Sequence, residues 1–108
     1  MDVVTDEAIN ILEQFLRMVK EADIKVEKAI LFGSYAKGNA NEWSDIDVAI
    51  FSSDFSGIPF YDNKMLIPFL IKNDSRIEVH PFRPEDLTED NLFIQEIIKS
   101  GIEIELLL

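Results

Sequence analysis

Near the start of the chain, apolar residues recur every three or four positions and polar residues fill the gaps between them. The apolar positions are Ala8, Leu12, Phe15, Leu16 and Val19. This spacing places them on one face of an amphipathic helix that extends to about Ala22. Thr5 precedes the pattern and two acidic residues follow it, so we expect the Thr5 hydroxyl to cap the first turn.

Two short apolar runs predict buried strands. The first, residues 28–32, is followed by Gly33, and the second, residues 46–51, is followed by a polar Ser-Ser-Asp triplet. The segment between them has room for a compact turn or a short helix. Residues 76–80 alternate between polar and apolar types, which predicts a third strand with one polar face that stops at Pro81.

A second helix is predicted over residues 60–72, and we expect Pro68 to kink it or to end it early. The elements then follow one another as helix, strand, turn, strand, helix, strand and a last helix. This order predicts one small α/β (α+β) domain that covers residues 1–108. Its sheet is expected to be mixed, with three to four strands and with helices mainly on one face.

The last helix is predicted to extend from Glu89 to about Ser100, with Thr88 as its N-terminal cap and Gly101 as its stop. Residues 102–108 would then add an edge strand or pack on a partner. The apolar residues of this helix that are expected to face mostly inward are Leu92, Ile94, Ile97 and Ile98.

Composition narrows the class of protein. Apolar residues make up 47% of the 108 residues and charged residues 29%, which is typical of a globular domain. No apolar run approaches the roughly 20 residues that span a bilayer, and the first residues lack a signal-peptide pattern. We therefore expect a soluble, cytoplasmic protein. Cysteine is absent, which excludes disulfides, a thiolate zinc site and a cysteine nucleophile.

The chain is strongly acidic, with 21 acidic against 10 basic residues and a net charge of −11. Such a charge disfavours stable binding to nucleic acid by the chain alone. It suits cations and a basic protein partner. An acidic surface that only keeps the protein soluble is an equally open interpretation.

Asp45 and Asp47 are the first candidates for chemistry. Residues two apart on a strand share a face, so their backbones lie roughly 6.6 Å apart and their carboxylates can converge on a cation. Two such charges about 4 Å apart repel by about 4 kcal/mol, which a divalent ion would offset. Oxygen ligands favour Mg²⁺ or Mn²⁺. An isolated pair of this kind is more often solvent-facing, but the preceding Gly33-Ser34 turn offers backbone amides that suit a phosphate.

Two other motifs fail on inspection. The glycines at 33 and 38 have the spacing of a Walker A loop, but Asn39 and Ala40 replace the required lysine and hydroxyl residue. The segment from Asp45 onward begins like a calcium-binding loop, but neither the third ligand nor the turn glycine follows. Both a P-loop and an EF-hand are excluded.

The segment GSYAKG at 33–38, followed five residues later by SDIDV at 44–48, resembles the G-S-x-A-x-G and S-D-x-D motif of the DNA polymerase beta-like nucleotidyltransferase superfamily. The whole chain resembles its smallest members, the minimal nucleotidyltransferases, including the MntA-like antitoxins of HEPN/MNT toxin–antitoxin pairs. The resemblance implies the small nucleotidyltransferase fold of this superfamily.

The resemblance also implies roles for individual residues. Glu78 occupies the position of the family's third carboxylate, which is more often aspartate. Its extra methylene shifts the carboxylate by more than 1 Å, which predicts weak or lost activity, since such a displacement can cost about a hundredfold in rate. The implied ligands of two Mg²⁺ ions, also the catalytic residues, are Asp45, Asp47 and Glu78. The implied nucleotide-binding residues are Gly33, Ser34, Lys37 and Ser44.

The function implied by the resemblance is Mg²⁺-dependent transfer of a nucleoside monophosphate, AMP from ATP, to a hydroxyl acceptor. In the minimal members that acceptor is a tyrosine of a partner HEPN toxin, and the enzyme acts as its antitoxin. The alternative is a non-catalytic antitoxin that neutralises its partner by binding it. Membrane association is expected in neither case.

Several neighbouring residues have more than one interpretation. Lys37 and Arg76 either offset phosphate charge or are solvated surface cations. His80 either orients the substrate or, more often for a histidine beside a proline, is structural. Trp43 and Tyr35 have three interpretations: each stacks on a base, forms part of a partner interface or packs under the loop.

Overall fold

A computed structural model describes residues 3–88 and 90–105 as four α-helices, four β-strands and one 3-10 turn. In chain order these are α1 (Val3–Glu21), β1 (Lys28–Phe32), α2 (Ser34–Lys37), β2 (Ile46–Phe51), α3 (Pro59–Ile71), β3 (Ile77–Phe82), the 3-10 turn Pro84–Asp86, α4 (Leu92–Ser100) and β4 (Ile102–Glu103). Within the described ranges, no helix has the length and apolar character needed to cross a membrane.

The four strands form one mixed sheet in the order β3-β2-β1-β4. β1 pairs antiparallel with β2 and with β4, whereas β2 pairs parallel with β3 after the chain has crossed over through α3. The predicted fold class, a small mixed sheet with helices, is confirmed. The short β4 also confirms the predicted edge strand, although residues 106–108 lie outside the described part of the chain.

The alternation along β2 determines which side chains reach which face of the sheet. Ile46, Val48 and Ile50 point to the main core, which contains buried residues of α1 and α3. Ala49 and Phe51 point to the opposite face and pack with Ile94 and Ile97 of α4. The remaining odd position of β2 is Asp47, which therefore lies on the α4 face.

Both predicted threonine caps are wrong. α1 begins at Val3, so Thr5 is inside the helix, where its buried hydroxyl donates a hydrogen bond to the backbone carbonyl of Tyr35 at 2.9 Å. α4 begins at Leu92 and is capped by Asn91, whose side chain accepts from the backbone amide of Ile94 at 3.1 Å. Asparagine is a stronger N-cap than threonine, which explains the later start. Glu89, the predicted first residue of this helix, lies outside the described residues.

Neither proline ends its element. α3 continues three residues past Pro68 to Ile71, because the hydrogen bond that the proline removes lies on an exposed side of the helix. β3 continues past Pro81 to Phe82, because β3 is an edge strand and a proline there can turn its missing N–H away from the sheet.

Of the four α4 residues predicted to face inward, two are buried and two are exposed. Ile94 and Ile97 are buried, but Leu92 and Ile98 are 82% and 41% exposed. The helix is short and contacts the sheet along one narrow line, so residues to either side of this line remain in water. Gly101 follows the helix as predicted.

Arg76 ties the start of β3 to two other segments. Its guanidinium donates to both carboxylate oxygens of Asp74 at 2.9 and 2.8 Å, to the hydroxyl of Tyr35 at 3.0 Å and to the backbone carbonyl of Glu42 at 3.3 Å. Of its two interpretations, phosphate neutralisation is therefore disfavoured, since these contacts engage the guanidinium in the fold. They hold α2 and the loop before β2 against the beginning of β3.

We expect the Asp74→Asn variant to lose about 1 kcal/mol of unfolding free energy at neutral pH, because a charge-assisted hydrogen-bond pair is weakened. The hydrogen bonds from Arg76 lower the pKa of Asp74 below its ordinary 3.8. The ionised form therefore contributes stability above pH 3.8, and this contribution is lost as the pH falls through the lower folded-state pKa. Urea unfolding measured at pH 7 and near pH 3 should show the difference from wild type shrinking.

The matched control is Glu85→Gln, which weakens the ion pair between Arg83 and Glu85. This pair has the same nitrogen–oxygen distance as the pair between Arg76 and Asp74, 2.8 Å, and also joins residues two positions apart. The Glu85 side chain is 66% exposed, so its removal should leave the unfolding curve unchanged. An equal loss of unfolding free energy in the two variants would show that the Arg76–Asp74 pair adds no more stability than an exposed ion pair.

Candidate functional site

Three side chains with metal-ligating atoms meet on the α4 face of the sheet. They are Asp47 on β2 and Glu78 and His80 on β3, and one ligand atom from each lies within 4.8 Å of the other two. The parallel register pairs Asp47 directly with Glu78, and His80 follows two residues later on the same face. The cluster is therefore a direct product of the β2–β3 pairing.

His80 contacts the cluster directly, which its position beside a proline does not indicate. Its Nε2 lies 3.2 Å from Oδ1 of Asp47, and its ring packs edge-on against Phe32 with 4.9 Å between ring centres. Such a contact fixes the orientation of the Asp47 carboxylate. The alternation of β3 already placed His80 on the face of Glu78, so the signal was present, but the pairing with Asp47 was not visible locally.

Asp45 lies beside this cluster and not within it. It precedes β2, is exposed, and does not share the 4.8 Å grouping of the other three residues. Its charge is still close enough to contribute to raising the pKa of Glu78. The structure thus brings two of the three predicted metal ligands, Asp47 and Glu78, into contact range and places the third at their margin.

The pKa of Glu78 is raised above its ordinary 4.5, first by partial removal of its carboxylate from water and then by the neighbouring carboxylate of Asp47. His80 opposes the shift and does not cancel it. A bound cation would relieve the same repulsion. Carboxylate oxygens with one imidazole suit a divalent ion such as Mn²⁺ or Mg²⁺, so the donor set fits the metal implied by the sequence.

Gly33 is held against the cluster. Its φ of +76° lies in the region that L side chains rarely adopt, and a Cβ at this position would approach Oδ2 of Asp47 to 2.6 Å. The next residue, Ser34, begins the single turn of α2, and the exposed Lys37 ends it. The structure thus places Gly33, one of the predicted nucleotide-binding residues, beside the Asp47 carboxylate.

Ser44 belongs to the turn that leads into β2. Its hydroxyl accepts from the backbone amide of Asn41 at 3.0 Å, and the Asn41 side chain accepts from the amide of Trp43 at 2.8 Å. Trp43 is 82% exposed, which overturns the interpretation that it packs under the loop. Tyr35 is buried, so it cannot stack on a base, and its hydroxyl donates to the backbone carbonyl of Asn41 at 3.1 Å.

An aromatic group borders the cluster and was not identified from the sequence. Phe93, at the start of α4, lies 6.0 Å from Phe32, 6.2 Å from Phe82 and 6.4 Å from His80 between ring centres. Phe93 is 52% exposed, so part of its ring remains available beside the cluster. Only the packing of α4 on the sheet brings these rings together.

We expect Gly33→Ala to lose about 1 to 3 kcal/mol of unfolding free energy, because its backbone would be strained, and also to lose its response to Mn²⁺. Thermal unfolding with and without Mn²⁺ measures both effects. The control is Gly57→Ala, since Gly57 has a φ of +89° but its added Cβ would meet only side-chain carbons of Arg83, the nearer at 3.4 Å. Its Mn²⁺ response should match wild type, and an equal loss there would contradict the role of the Gly33–Asp47 contact.

The variant Glu78→Gln should be more stable than wild type in the absence of metal at neutral pH. The raised pKa means that the ionised Glu78 carboxylate destabilises the fold above the folded-state pKa, and glutamine removes that charge. As the pH falls below 4.5 the glutamate becomes protonated in both states, so the advantage should disappear. Urea unfolding at pH 7 and pH 4 tests this, with the exposed Glu96→Gln as control. A less stable Glu78→Gln at pH 7 would refute it.

The sequence matches the nucleotidyltransferase domain family over residues 11–106. Among solved structures, a protein of Sulfolobus solfataricus assigned as a nucleotidyltransferase aligns with a TM-score of 0.66 and 15% identity, over 95% of this chain and 87% of that one. A toxin–antitoxin structure with AMP-PNP aligns with a TM-score of 0.59 and 20% identity, over 88% of this chain and 73% of that one.

A mutant of the toxin–antitoxin MntA–HpeT aligns with a TM-score of 0.59 and 17% identity, over 87% of this chain and 72% of that one. A search of curated protein sequences finds no match. Identities this low establish a shared fold and nothing finer. The family match covers most of the chain, including the Gly33 turn, Asp47 and Glu78. The chain belongs to the nucleotidyltransferase domain family.

Proposed function

We propose that this chain is a Mg²⁺-dependent nucleotidyltransferase that transfers AMP from ATP to a tyrosine hydroxyl of a HEPN-type toxin and thereby acts as its antitoxin in the cytoplasm. The observation that carries the proposal is the in-register pairing of Asp47 with Glu78, with Gly33 against the Asp47 carboxylate. A phosphate held at the Gly33–Ser34 turn would lie beside both carboxylates.

Asp45, Asp47 and Glu78 are the residues that would hold two Mg²⁺ ions. When bound, these ions would neutralise charge on the phosphates and on the leaving pyrophosphate. Two of the three carboxylates project from adjacent hydrogen-bonded strands, so their separation is fixed by the sheet. His80 supports this arrangement through its contact with Oδ1 of Asp47.

The remaining residues have roles in binding and proton transfer. The Gly33 and Ser34 amides would hold the triphosphate, with Lys37 and Ser44 at its margin. The acceptor oxygen would form a bond to the α-phosphorus while the bond to pyrophosphate breaks. Glu78, on the strand paired with that of Asp47, would take the proton of the acceptor hydroxyl.

The choice of nucleotide and partner draws on the fold neighbours and on charge. One neighbour is a toxin–antitoxin solved with AMP-PNP, an analogue of ATP, and another is the toxin–antitoxin MntA–HpeT. The net charge of −11 disfavours a nucleic-acid acceptor and favours a basic protein. The HEPN class of partner follows from the resemblance of the sequence to minimal nucleotidyltransferases.

A non-catalytic antitoxin is the second candidate. Glu78 has a longer side chain than the aspartate more usual at this position, and this difference favours a site that binds nucleotide or metal weakly. In that case the chain would neutralise its partner by binding it, without any catalytic step.

The deciding experiment is transfer of label from α-labelled ATP, with Mg²⁺, to the proposed HEPN-type partner. We expect wild type to label the partner, and the double variant Asp45→Asn, Asp47→Asn to lose at least about a hundredfold in rate, because the metal-binding charge is removed. The control is Glu21→Gln with Asp23→Asn, which removes two exposed carboxylates at the end of α1 opposite to the Thr5–Tyr35 contact and should transfer normally.

Toxicity of the partner in cells gives the second readout. Under the enzymatic proposal, the Asp45, Asp47 variant fails to neutralise the toxin. Neutralisation that survives in this variant, with a stable complex and no label on the partner, would overturn the proposal in favour of the binding antitoxin.

A further inference from the structure

Phe93 is an exposed phenylalanine whose surroundings differ from those of Phe60, an exposed phenylalanine on α3. Exposure of an apolar residue is common and by itself indicates no function. Phe60 is 70% exposed, and its ring neighbour is Tyr61, the next residue in the chain, at 5.4 Å between ring centres. Phe93 is 52% exposed, but its ring neighbours belong to two strands of the sheet, β1 and β3.

Two of these neighbours connect Phe93 to the candidate site. Phe32, 6.0 Å away between ring centres, directly precedes Gly33 and the turn proposed to hold phosphate. The ring of His80, 6.4 Å away, contacts the carboxylate of Asp47 through Nε2. Phe93 therefore lies one ring away from both the phosphate turn and the carboxylate cluster.

The fold also fixes the position of Phe93. The helix begins one residue earlier, and the side chain of Asn91 caps its first turn by accepting from the amide of Ile94 at 3.1 Å. Ile94 and Ile97 are buried and anchor the helix on the sheet. A ring held in this way loses little conformational freedom when a ligand binds to it.

Charge alone offers limited affinity for a nucleotide here. The chain has a net charge of −11, which opposes the approach of a triphosphate. Arg76 is engaged by Asp74, Tyr35 and Glu42. A nucleobase is uncharged, so its stacking on an aromatic ring does not meet this repulsion, and such stacking contributes to binding for every base.

We propose that the Phe93 ring is the stacking platform for the base of the nucleotide, and that the site therefore takes purine nucleotides in preference to pyrimidine nucleotides. The inference rests on the proposed nucleotidyltransferase function, because that function places the phosphates at the Gly33–Ser34 turn. The ribose would span the distance from there to the ring.

The chemistry of the platform determines its selectivity. A phenyl ring has no hydrogen-bond donor or acceptor, so it distinguishes bases by the area that they stack on it. The two fused rings of a purine cover more of it than the single ring of a pyrimidine. Adenine and guanine would then be accepted about equally well by the platform itself.

The test is isothermal titration calorimetry of the full chain in Mg²⁺ with two probes, ATP and inorganic tripolyphosphate, which lacks the ribose and the base. The variant is Phe93→Leu, which keeps an apolar side chain on α4 but removes the aromatic ring. We expect its Kd for ATP to rise at least about fivefold, because a base–aromatic stack is lost. Its Kd for tripolyphosphate should match wild type.

Two further variants serve as controls, and circular dichroism checks that every variant is folded. Phe93→Tyr keeps the ring and should bind ATP as wild type does. Phe60→Leu makes the same substitution as the test variant at an exposed phenylalanine on the other face of the sheet, and its Kd for ATP should not change.

A series of nucleotides tests the selectivity. Wild type should bind ATP and GTP more tightly than CTP and UTP, and this difference should shrink in Phe93→Leu. A purine preference that stays intact in Phe93→Leu would overturn the proposal, since the base would then be recognised elsewhere.

The two probes separate failure of this proposal from failure of the proposed function. If wild type binds neither probe, both fail. If both bind and Phe93→Leu changes neither Kd, or raises both equally, the phosphate site stands and the platform is refuted. The platform is also refuted if ATP affinity falls in Trp43→Leu and not in Phe93→Leu, or if Phe93→Leu weakens only the complex with a partner protein.

Discussion

The parallel pairing of β2 with β3 is the constraint on which the candidate site depends. β2 has a neighbour on each side, and its alternation sends Ile46, Val48 and Ile50 into the main core. A slip of one residue would turn these side chains out and carry Asp47 inward. The hydrophobic core therefore determines the position of a carboxylate on the opposite face. Burial of three aliphatic residues holds Asp47 beside Glu78 against the repulsion between their charges.

This arrangement shows how the domain divides stability and chemistry between the two faces of one sheet. The face under α1 and α3 is closed and apolar, and it supplies the burial that a chain of this size needs. The face under the short α4 is covered only in part, which leaves room for a charged cluster and for Phe93. Proteins commonly accept a loss of stability at such sites, because the groups that bind a ligand are poorly satisfied without it.

Much of the fold could be predicted from local sequence. The strands at 28–32 and 46–51 have the bounds predicted for them, because each is a continuous apolar run with turn residues after it. The errors fall at helix starts and prolines, where the outcome depends on distant partners: Thr5 bonds to Tyr35, and Pro81 is tolerated because β3 has a free edge. Local sequence patterns carry no information on the Thr5–Tyr35 hydrogen bond or on the edge position of β3.

Only part of the site could be predicted, again because some of its contacts join residues that are distant in the sequence. A spacing of two residues identified Asp47, and a resemblance identified Glu78. The contribution of His80 depends on a contact between residues 33 positions apart, and that of Gly33 on the approach of a side chain from another strand. Neither contact follows from the residues on either side.

The long sequence separation between Asp47 and His80 also has a consequence for folding. The two residues meet only after α3 has formed its crossover and β3 has joined the sheet, so a partly folded chain lacks the cluster. A ligand that needs both strands binds the complete domain and no earlier species. Its binding energy then adds to the cooperativity of folding, and newly made chains would acquire the ligand as the last event of their maturation.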